Sequence, residues 1–219
     1  MLTVKTEWSL SQRKTPYISA MPRSQTKKNA ILEEATKLFS EHGYWDTSIS
    51  DISQATGVAD GTIFYHFHSK EELFLAVLKN FKEKLISAFS NHLNNHEFET
   101  GMDMLEGVIS FYLAQANKME KRFFLLHRHH YYQIAAHNPN CWQQLEEIYS
   151  SLIDIFEQAI HIGQQDRSMK TVDASKKAFL IFTLVDGIVR FNTYKLYRAD
   201  AIYDELIDSC RSMLQSSTN

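Results

Sequence analysis

The chain has few of the residues that interrupt helices. Its 219 residues include 7 glycines and only 3 prolines, and no proline lies between residues 23 and 138. A β-sandwich or β-barrel needs many tight turns, which glycine and proline supply. The composition therefore excludes those folds and predicts an all-α protein.

Cysteines, long hydrophobic runs and excess positive charge are also scarce. The two cysteines, Cys141 and Cys210, lie far apart and match neither a disulfide framework nor a metal-binding spacing. The longest apolar run, near residues 178–185, is shorter than the roughly 20 residues that span a bilayer. The polar N-terminus lacks the apolar core of a secretion signal. We therefore expect a cytoplasmic protein with no membrane partner.

The sequence also lacks the motifs of enzymes that an all-α chain of this size would carry. It contains no phosphate-binding loop, no GxSxG and no HExxH, and no glutamate has a histidine three residues later, as a di-iron bundle requires. The prediction is a protein that is not an enzyme and has no cofactor. A formal net charge of −3 excludes a polybasic binder but leaves a local nucleic-acid surface possible in principle.

Apolar residues recur at helical spacing along most of the chain. The pattern predicts helices over 26–42, 48–55, 60–66 and from about 70 onward, followed by 102–118, 120–136, 139–163, 174–198 and 200–214. This makes about nine helices in total. We divide the chain into a flexible basic arm at 1–23, a DNA-binding domain at 24–70 and a ligand-binding and dimerisation domain at 71–219.

The basic arm has two interpretations that the sequence leaves open. Four basic residues stand against one acidic residue in it, so it could follow a DNA backbone or enter a minor groove. A frayed terminus is the alternative. Met21 is also a candidate translation start, in which case residues 1–20 would be a misread extension.

Two short helices joined at Gly57 have the dimensions of a helix-turn-helix. Ser48 and Asp51 have the spacing of a capping box that opens the first of them. The second helix must project so that it can enter a major groove. Its polar residues and Lys70, at the start of the next helix, can then donate to phosphates or base edges.

The segment GYWDTSISDISQATGVADGTIFYHFHSKEELF, which begins at Gly43, resembles the signature of the tetracycline-repressor (TetR) family of transcriptional regulators. The resemblance covers about residues 27–78. It implies a homodimer that binds a double-stranded DNA operator through the N-terminal domain and a small-molecule effector through the C-terminal domain. By position, it implies operator contacts for Thr47, Ser48, Gly61, Thr62, Tyr65, His66 and Lys70.

Two residues of the second helix depart from that family pattern. Asp60 replaces a common cation, and it is a candidate to cap the helix or to accept from a cytosine amine. Phe64 replaces a frequent tyrosine, so one phosphate donor is missing. We include both as DNA-binding candidates.

The charge of this region favours a second hypothesis. Residues 24–75 contain four lysines and eight acidic side chains. An acidic surface repels DNA phosphates. The alternative function is therefore a helical protein-interaction module that kept the fold but lost specific operator binding.

Large apolar and polar side chains of the middle helices are the candidates for effector binding. They are Phe111, Tyr112, Phe123, Phe124, His127, Arg128, Trp142, Tyr149, Phe156, Phe179 and Phe182. For the aromatic residues the alternative is simple core packing, and for His127 and Arg128 it is a solvated helix face. The expected effector is a small hydrophobic or amphipathic molecule, acyl-CoA-like by a loose similarity to regulators of fatty-acid metabolism. We predict no metal site, because nothing brings a third ligand to His127.

The helix at 174–198 is apolar nearly all round between residues 178 and 191, which predicts burial on two sides. One side would face its own subunit and the other a second copy. The candidate interface residues are Leu184, Ile188, Phe191, Tyr194, Tyr197, Leu206 and Leu214. A monomer with this helix fully internal is the alternative. Regulation by repression is the family default.

Overall fold

Helices make up all the regular secondary structure that the computed structural model describes, which covers residues 23–215. The predicted arm at 1–23 lies outside this range except for Arg23. The helices are α1 (Arg23–Glu41), α2 (Ile49–Thr56), α3 (Asp60–Phe67), α4 (Lys70–Asn95), α5 (Gly101–Lys118), α6 (Glu120–His127), α7 (His129–His137), α8 (Pro139–Gln165), α9 (Ala174–Thr193) and α10 (Tyr203–Leu214), with a 3₁₀ turn at Ala199–Ile202. The prediction of an all-α fold is confirmed.

The helix count differs from the prediction at one break that carries no glycine or proline. The helix predicted over 120–136 is two helices, because Arg128 adopts an extended conformation (φ −69°, ψ 139°) between them. Near the C-terminus, α9 ends at Thr193 rather than at residue 198. Lys195 has a left-handed backbone (φ 56°), which a continuing right-handed helix does not allow.

The described residues form two compact units. One comprises residues 23–84 and 124–145, and the other comprises 85–123 and 146–215. The first unit thus contains α7 and the start of α4 in addition to the three N-terminal helices. The functional boundary that we placed at residue 70 stays a prediction, since compactness and function need not divide a chain at the same residue.

Aromatic rings form the core of the first unit. Phe39 of α1 and Tyr44 meet the ring of Phe74 at centroid distances of 5.5 and 5.0 Å, and Tyr131 of α7 meets it at 5.8 Å. All four rings are buried. This shared core fixes the N-terminal helices onto α4 and α7, so it supports the surface that α2 and α3 present.

The second unit is built around Tyr112 of α5. Its fully buried ring makes edge contacts with Phe123, Phe156 and Phe182, and its hydroxyl donates to Asp186 of α9 at 2.6 Å. Buried aromatic groups of this size dominate the hydrophobic free energy of a core. The contacts therefore join α5, α8 and α9 into one body.

Gly101 lets the start of α5 lie directly against the backbone of α8. A methyl group added there would stand 2.0 Å from the backbone nitrogen of Gly163. The amide of Gly101 also donates to Asp166 at 2.6 Å. This close approach requires glycine, because any side chain would overlap backbone atoms that cannot rotate away.

Candidate nucleic-acid interface

The turn between α2 and α3 has the geometry that the sequence predicts. Ser48 accepts from the amide of Asp51, and the Asp51 carboxylate accepts from the amide of Ser48 at 2.7 Å, which completes the capping box. These bonds lower the pKa of Asp51. Gly57 then takes the left-handed conformation (φ 68°) that lets the chain reverse sharply into α3.

Helix α3 is anchored on one side and exposed on the other. Ile63 and Phe67 are buried in the first unit. Tyr65 is 77% exposed and Phe64 is 46% exposed, while Gly61 is exposed one turn before them. An eight-residue helix held by its inner face and open on the other has the form of a recognition helix.

The two polar neighbours on α3, Thr62 and His66, are half-buried. The His66 ring lies 5.3 Å from the ring of Tyr65, in an edge arrangement. Tyr65 is therefore the more exposed of these side chains, with His66 beside it. Contacts from the two residues to phosphates or base edges stay a prediction.

Thr47 does not contribute its side chain to this surface. It is 1% exposed, and its hydroxyl donates to the carbonyl oxygens of Gly43 at 2.8 Å and Leu38 at 3.3 Å. The hydroxyl thus satisfies carbonyl groups at the end of α1. The Thr47 side chain is therefore not available to DNA, and an operator contact at this position could involve only the backbone. Ser48 stays exposed, but its hydroxyl is bonded to Asp51 at 2.7 Å.

Asp60 is directed toward α2 and does not cap its own helix. Ser50 donates to its carboxylate at 2.9 Å, and no side chain caps α3 at Ala59. Hydrogen bonds from Ser53 and Ser50 lower the pKa of Asp60, so it stays ionised near neutral pH. The capping prediction is wrong, because the α2 hydroxyls compete for the same oxygen atoms.

Lys70 lies against the loop that connects α1 and α2. Its ammonium is 4.5 Å from the centre of the Tyr44 ring and donates to the carbonyl of Trp45 at 3.4 Å. Burial lowers the pKa of Lys70, while the nearby carboxylates of Asp46 and Asp51 raise it. The amino group is therefore held at the first turn of α4, where a phosphate could bind it.

Sequence reasoning missed two groups of the unit that contains α3. The Lys28 ammonium lies 5.6 Å from the Phe67 ring at the end of α3, and Trp45 is one of the more exposed large side chains of this unit. The adjacent lysines at 27 and 28 were the available signal for the first. Nothing in the pattern separated Trp45 from the buried Tyr44 beside it.

Carboxylates line a depression beside this surface. Its volume is about 430 Å³, and its walls include His42, Asp46, Asp51 and Gln54. A phosphate would be repelled there. Two cationic groups that can attract DNA are Lys28, over the last residue of α3, and Lys70, three residues after the end of that helix.

Comparison with known proteins bears on these features. The family described as "Bacterial regulatory proteins, tetR family" matches residues 31–77, which include α2 and α3. The fatty acid metabolism regulator protein of Bacillus subtilis is 26% identical over 176 residues, covering 77% of this chain and 84% of its own length. The chain belongs to the TetR family of transcriptional regulators.

Solved structures share the fold of this TetR-family chain. The fatty-acid regulator FadR of Bacillus subtilis, in complex with stearoyl-CoA, superposes with a TM-score of 0.70 at 21% identity, covering 84% of this chain and 97% of that one. A transcriptional regulator from Saccharomonospora viridis, in complex with choline, has a TM-score of 0.79 at 20% identity, covering 88% and 99%. Members of this family are DNA-binding regulators and not enzymes.

The effector-binding candidates of this TetR-family chain fall into both units. Phe124, His127, Arg128 and Trp142 belong to the unit with α1–α3, and the other seven belong to the second unit. Of the latter, Tyr112, Phe123, Phe156 and Phe182 form the ring cluster described above, and Tyr149 joins it at 6.1 Å from Phe182. Phe111 instead stacks on His92, 4.1 Å away.

Two of these candidates lie at the protein surface. Trp142 is 58% exposed and Phe179 is 56% exposed, so neither is a wall of an enclosed pocket within its own unit. His127 is buried rather than solvated, whereas Arg128 is half-buried with its guanidinium 4.8 Å from the Phe124 ring. In the part of the chain that the structure describes, no group of three or more histidine, cysteine or acidic side chains could hold a metal ion.

The dimer candidates divide sharply by helix. Leu184, Phe191, Tyr194 and Tyr197 are exposed and Ile188 is half-buried, in or just after α9. Leu206 and Leu214 of α10 are 5% and 0% exposed, so they are core residues and their assignment to the interface was wrong. The amphipathic α10 turns its apolar face inward.

None of the helices between residues 23 and 215 is long and apolar enough to cross a membrane.

Proposed function

We propose that this TetR-family regulator is a cytoplasmic repressor whose homodimer binds a palindromic operator and leaves it when a small molecule binds. The observation that carries the proposal is the outward face of α3, with Tyr65 exposed and Lys70 held at the start of α4 against the loop between α1 and α2. A homodimer would present two such helices to successive major grooves, roughly 34–36 Å apart.

The exposed face of α9 supports dimerisation. Leu180, Leu184 and Phe191 are all exposed and recur one helical turn or a multiple of it apart. A continuous apolar stripe on a helix surface marks a protein interface. A second copy of α9 is the partner that we propose, because an identical stripe is self-complementary about a two-fold axis.

The effector that we propose is a small amphipathic molecule bound in the unit built around Tyr112. Its apolar part would lie against aromatic side chains, and the Tyr112–Asp186 pair offers polar atoms beside them. One Bacillus subtilis relative is named a fatty acid metabolism regulator protein, and the structure of the regulator FadR from the same species contains stearoyl-CoA. Acyl-CoA molecules are therefore the first effectors to test, and choline, found in the Saccharomonospora viridis structure, is the second.

The test is fluorescence-anisotropy binding to duplexes from the DNA upstream of the protein's own gene, against scrambled duplexes, across a salt series. We expect a preference of about 10³-fold or more for one native duplex. Stearoyl-CoA, added to that complex, should release the duplex, and choline provides a probe of different charge.

A double substitution assigns the binding to α3. Tyr65→Ala with His66→Ala should abolish operator binding while helicity by circular dichroism and the dimer mass stay unchanged, because neither side chain is part of the core. Trp142→Ala is the matched control, since it removes an exposed aromatic group of the same unit away from α3. Unchanged affinity of the double variant would contradict the assignment.

The acidic character of residues 24–75 favours one competing function. If all duplexes bind equally and weakly, the chain is better explained as a helical interaction module. Preference for a single native duplex decides against that alternative.

A further inference from the structure

We infer that Phe64 reads the 5-methyl group of a thymine in each half-site of the operator. The inference rests on the proposed operator binding and deepens it, because it assigns the chemistry of one base contact. It depends on three features of α3: the exposed ring of Phe64, the bare backbone at Gly61, and the inward direction of Asp60.

The Phe64 ring is partly exposed on the outer face of α3. Its side chain is 46% exposed, and it has no ring contact with another aromatic residue in the described part of the chain. Ile63 and Phe67 of the same helix are buried, so the inner face is already filled. On a helix that enters a major groove, an exposed apolar ring is complemented by an apolar group of a base.

Major-groove chemistry limits what that partner can be. The base pairs present donors, acceptors and one apolar feature, which is the C5-methyl group of thymine. A phenyl ring forms no hydrogen bond with a phosphate oxygen or with a polar base edge. The thymine methyl is therefore the group in the groove that complements Phe64.

Gly61 leaves room for this contact. A methyl group added at Gly61 would meet no atom within 4 Å, and the residue has no left-handed backbone that would require glycine. Alanine has the higher helix propensity, so the helix itself does not call for glycine at this position. The fold thus gains nothing from glycine here. The absent side chain instead clears the surface one turn before Phe64, so that the helix can approach the base edges.

Asp60 does not compete for the same base pairs. Its carboxylate accepts from Ser50 at 2.9 Å, and hydrogen bonds from Ser53 and Ser50 lower its pKa. Its oxygens are thus engaged by α2 and are not directed at a cytosine amine. Phe64 is then the exposed apolar side chain of α3 that can discriminate a methyl group, beside the polar Tyr65.

The experiment begins by selecting a binding site from a random duplex library with the full-length protein. Each thymine of the selected duplex is then replaced in turn by deoxyuridine, which differs only in lacking the methyl group. We expect one symmetry-related pair of thymines whose replacement weakens binding, by about fourfold for each half-site, as expected for losing the burial of one methyl group.

Variants connect that loss to Phe64. Phe64→Ala should bind the selected duplex more weakly and show equal affinity for its thymine and uracil forms. Phe64→Leu keeps an apolar side chain and should retain part of the preference, which keeps the test open if the alanine variant binds too weakly to titrate. Trp142→Ala removes an exposed aromatic group of the same unit that lies outside α2 and α3, and it should retain the full preference.

The outcomes separate this inference from the function on which it rests. A library that yields no enriched sequence overturns operator binding itself, and the Phe64 contact with it. Specific binding that is insensitive to every thymine replacement overturns the Phe64 contact alone. So does a thymine preference that persists unchanged in Phe64→Ala.

Discussion

Helices α3 and α9 both expose apolar side chains, but in different surroundings. On α3, Phe64 and Tyr65 lie one turn after Gly61, on a helix whose last residue, Phe67, is covered by the Lys28 ammonium. On α9, Leu180, Leu184 and Phe191 form one continuous stripe. The first surface suits a partner with mixed polar and apolar features, such as a DNA groove, and the second suits another apolar helix. Exposure alone therefore does not define the partner; the neighbouring residues do.

Of the substitutions that we consider, a charge placed in the α9 stripe should have the largest effect on dimerisation and DNA binding. Leu184→Glu should convert the homodimer into a monomer, because burying an unpaired carboxylate in an apolar interface is strongly unfavourable. Operator affinity should then fall by about 100-fold or more, because the two recognition helices are no longer linked in one dimer. Light scattering and DNA binding measure the two effects.

Asn94→Glu is the control for that substitution. It adds the same charge to an exposed position of α4 in the same unit. A Leu184→Glu protein that stays dimeric would show that α9 is not the interface, and the comparison with α3 would then fail.

Alanine substitutions at two glycines should have intermediate effects, and they separate a glycine required by the fold from one required by the DNA. Gly101→Ala should lower the free energy of unfolding by about 3 kcal/mol, because the added methyl overlaps the backbone at Gly163. Gly61→Ala should raise it slightly, by up to about 1 kcal/mol, since the methyl meets open space in a helix.

Denaturant unfolding followed by circular dichroism compares the two alanine variants. Gly61→Ala should nevertheless weaken operator binding by about tenfold, because the methyl group holds the helix away from the groove. Equal stability losses in both variants would refute the distinction between a glycine required by the fold and one required by the partner.

Lys70→Ala should have the smallest effect. Removing one phosphate contact should weaken all DNA sequences alike by a few fold and reduce the slope of log affinity against log salt concentration by about 1. Lys79→Ala, which removes an exposed lysine elsewhere on α4, should leave the slope unchanged. A change in sequence preference in the Lys70 variant would contradict a purely electrostatic role.

Local signals in the sequence predicted the geometry of the helix-turn-helix accurately. Ser48 and Asp51 form the capping box expected from their spacing, and Gly57 has the left-handed backbone expected of a sharp turn. These features depend on residues within one turn of each other, so the order of amino acids is sufficient to specify them. The all-α fold follows similarly from helical spacing and scarce proline.

Directions of individual side chains were less predictable. Thr47 and Tyr65 both belong to the recognised motif, yet one is 1% exposed and the other 77%. Asp60 has a sequence position suited to capping α3, but its carboxylate accepts hydrogen bonds from two serines of α2. In both cases the deciding partner lies on another element or at the end of a preceding helix, where periodicity gives no information.

By itself, the sequence determined the helices, the turn between α2 and α3 and the family, because these depend on local spacing and on a long motif. Only the tertiary structure decided which leucines are available to a partner. Leu184 and Leu214 have the same side chain, but α9 leaves the first exposed and α10 buries the second. The reason is physical: an apolar helix can bury only as much of its surface as its neighbours cover, and the sequence of one helix does not specify how its neighbours pack.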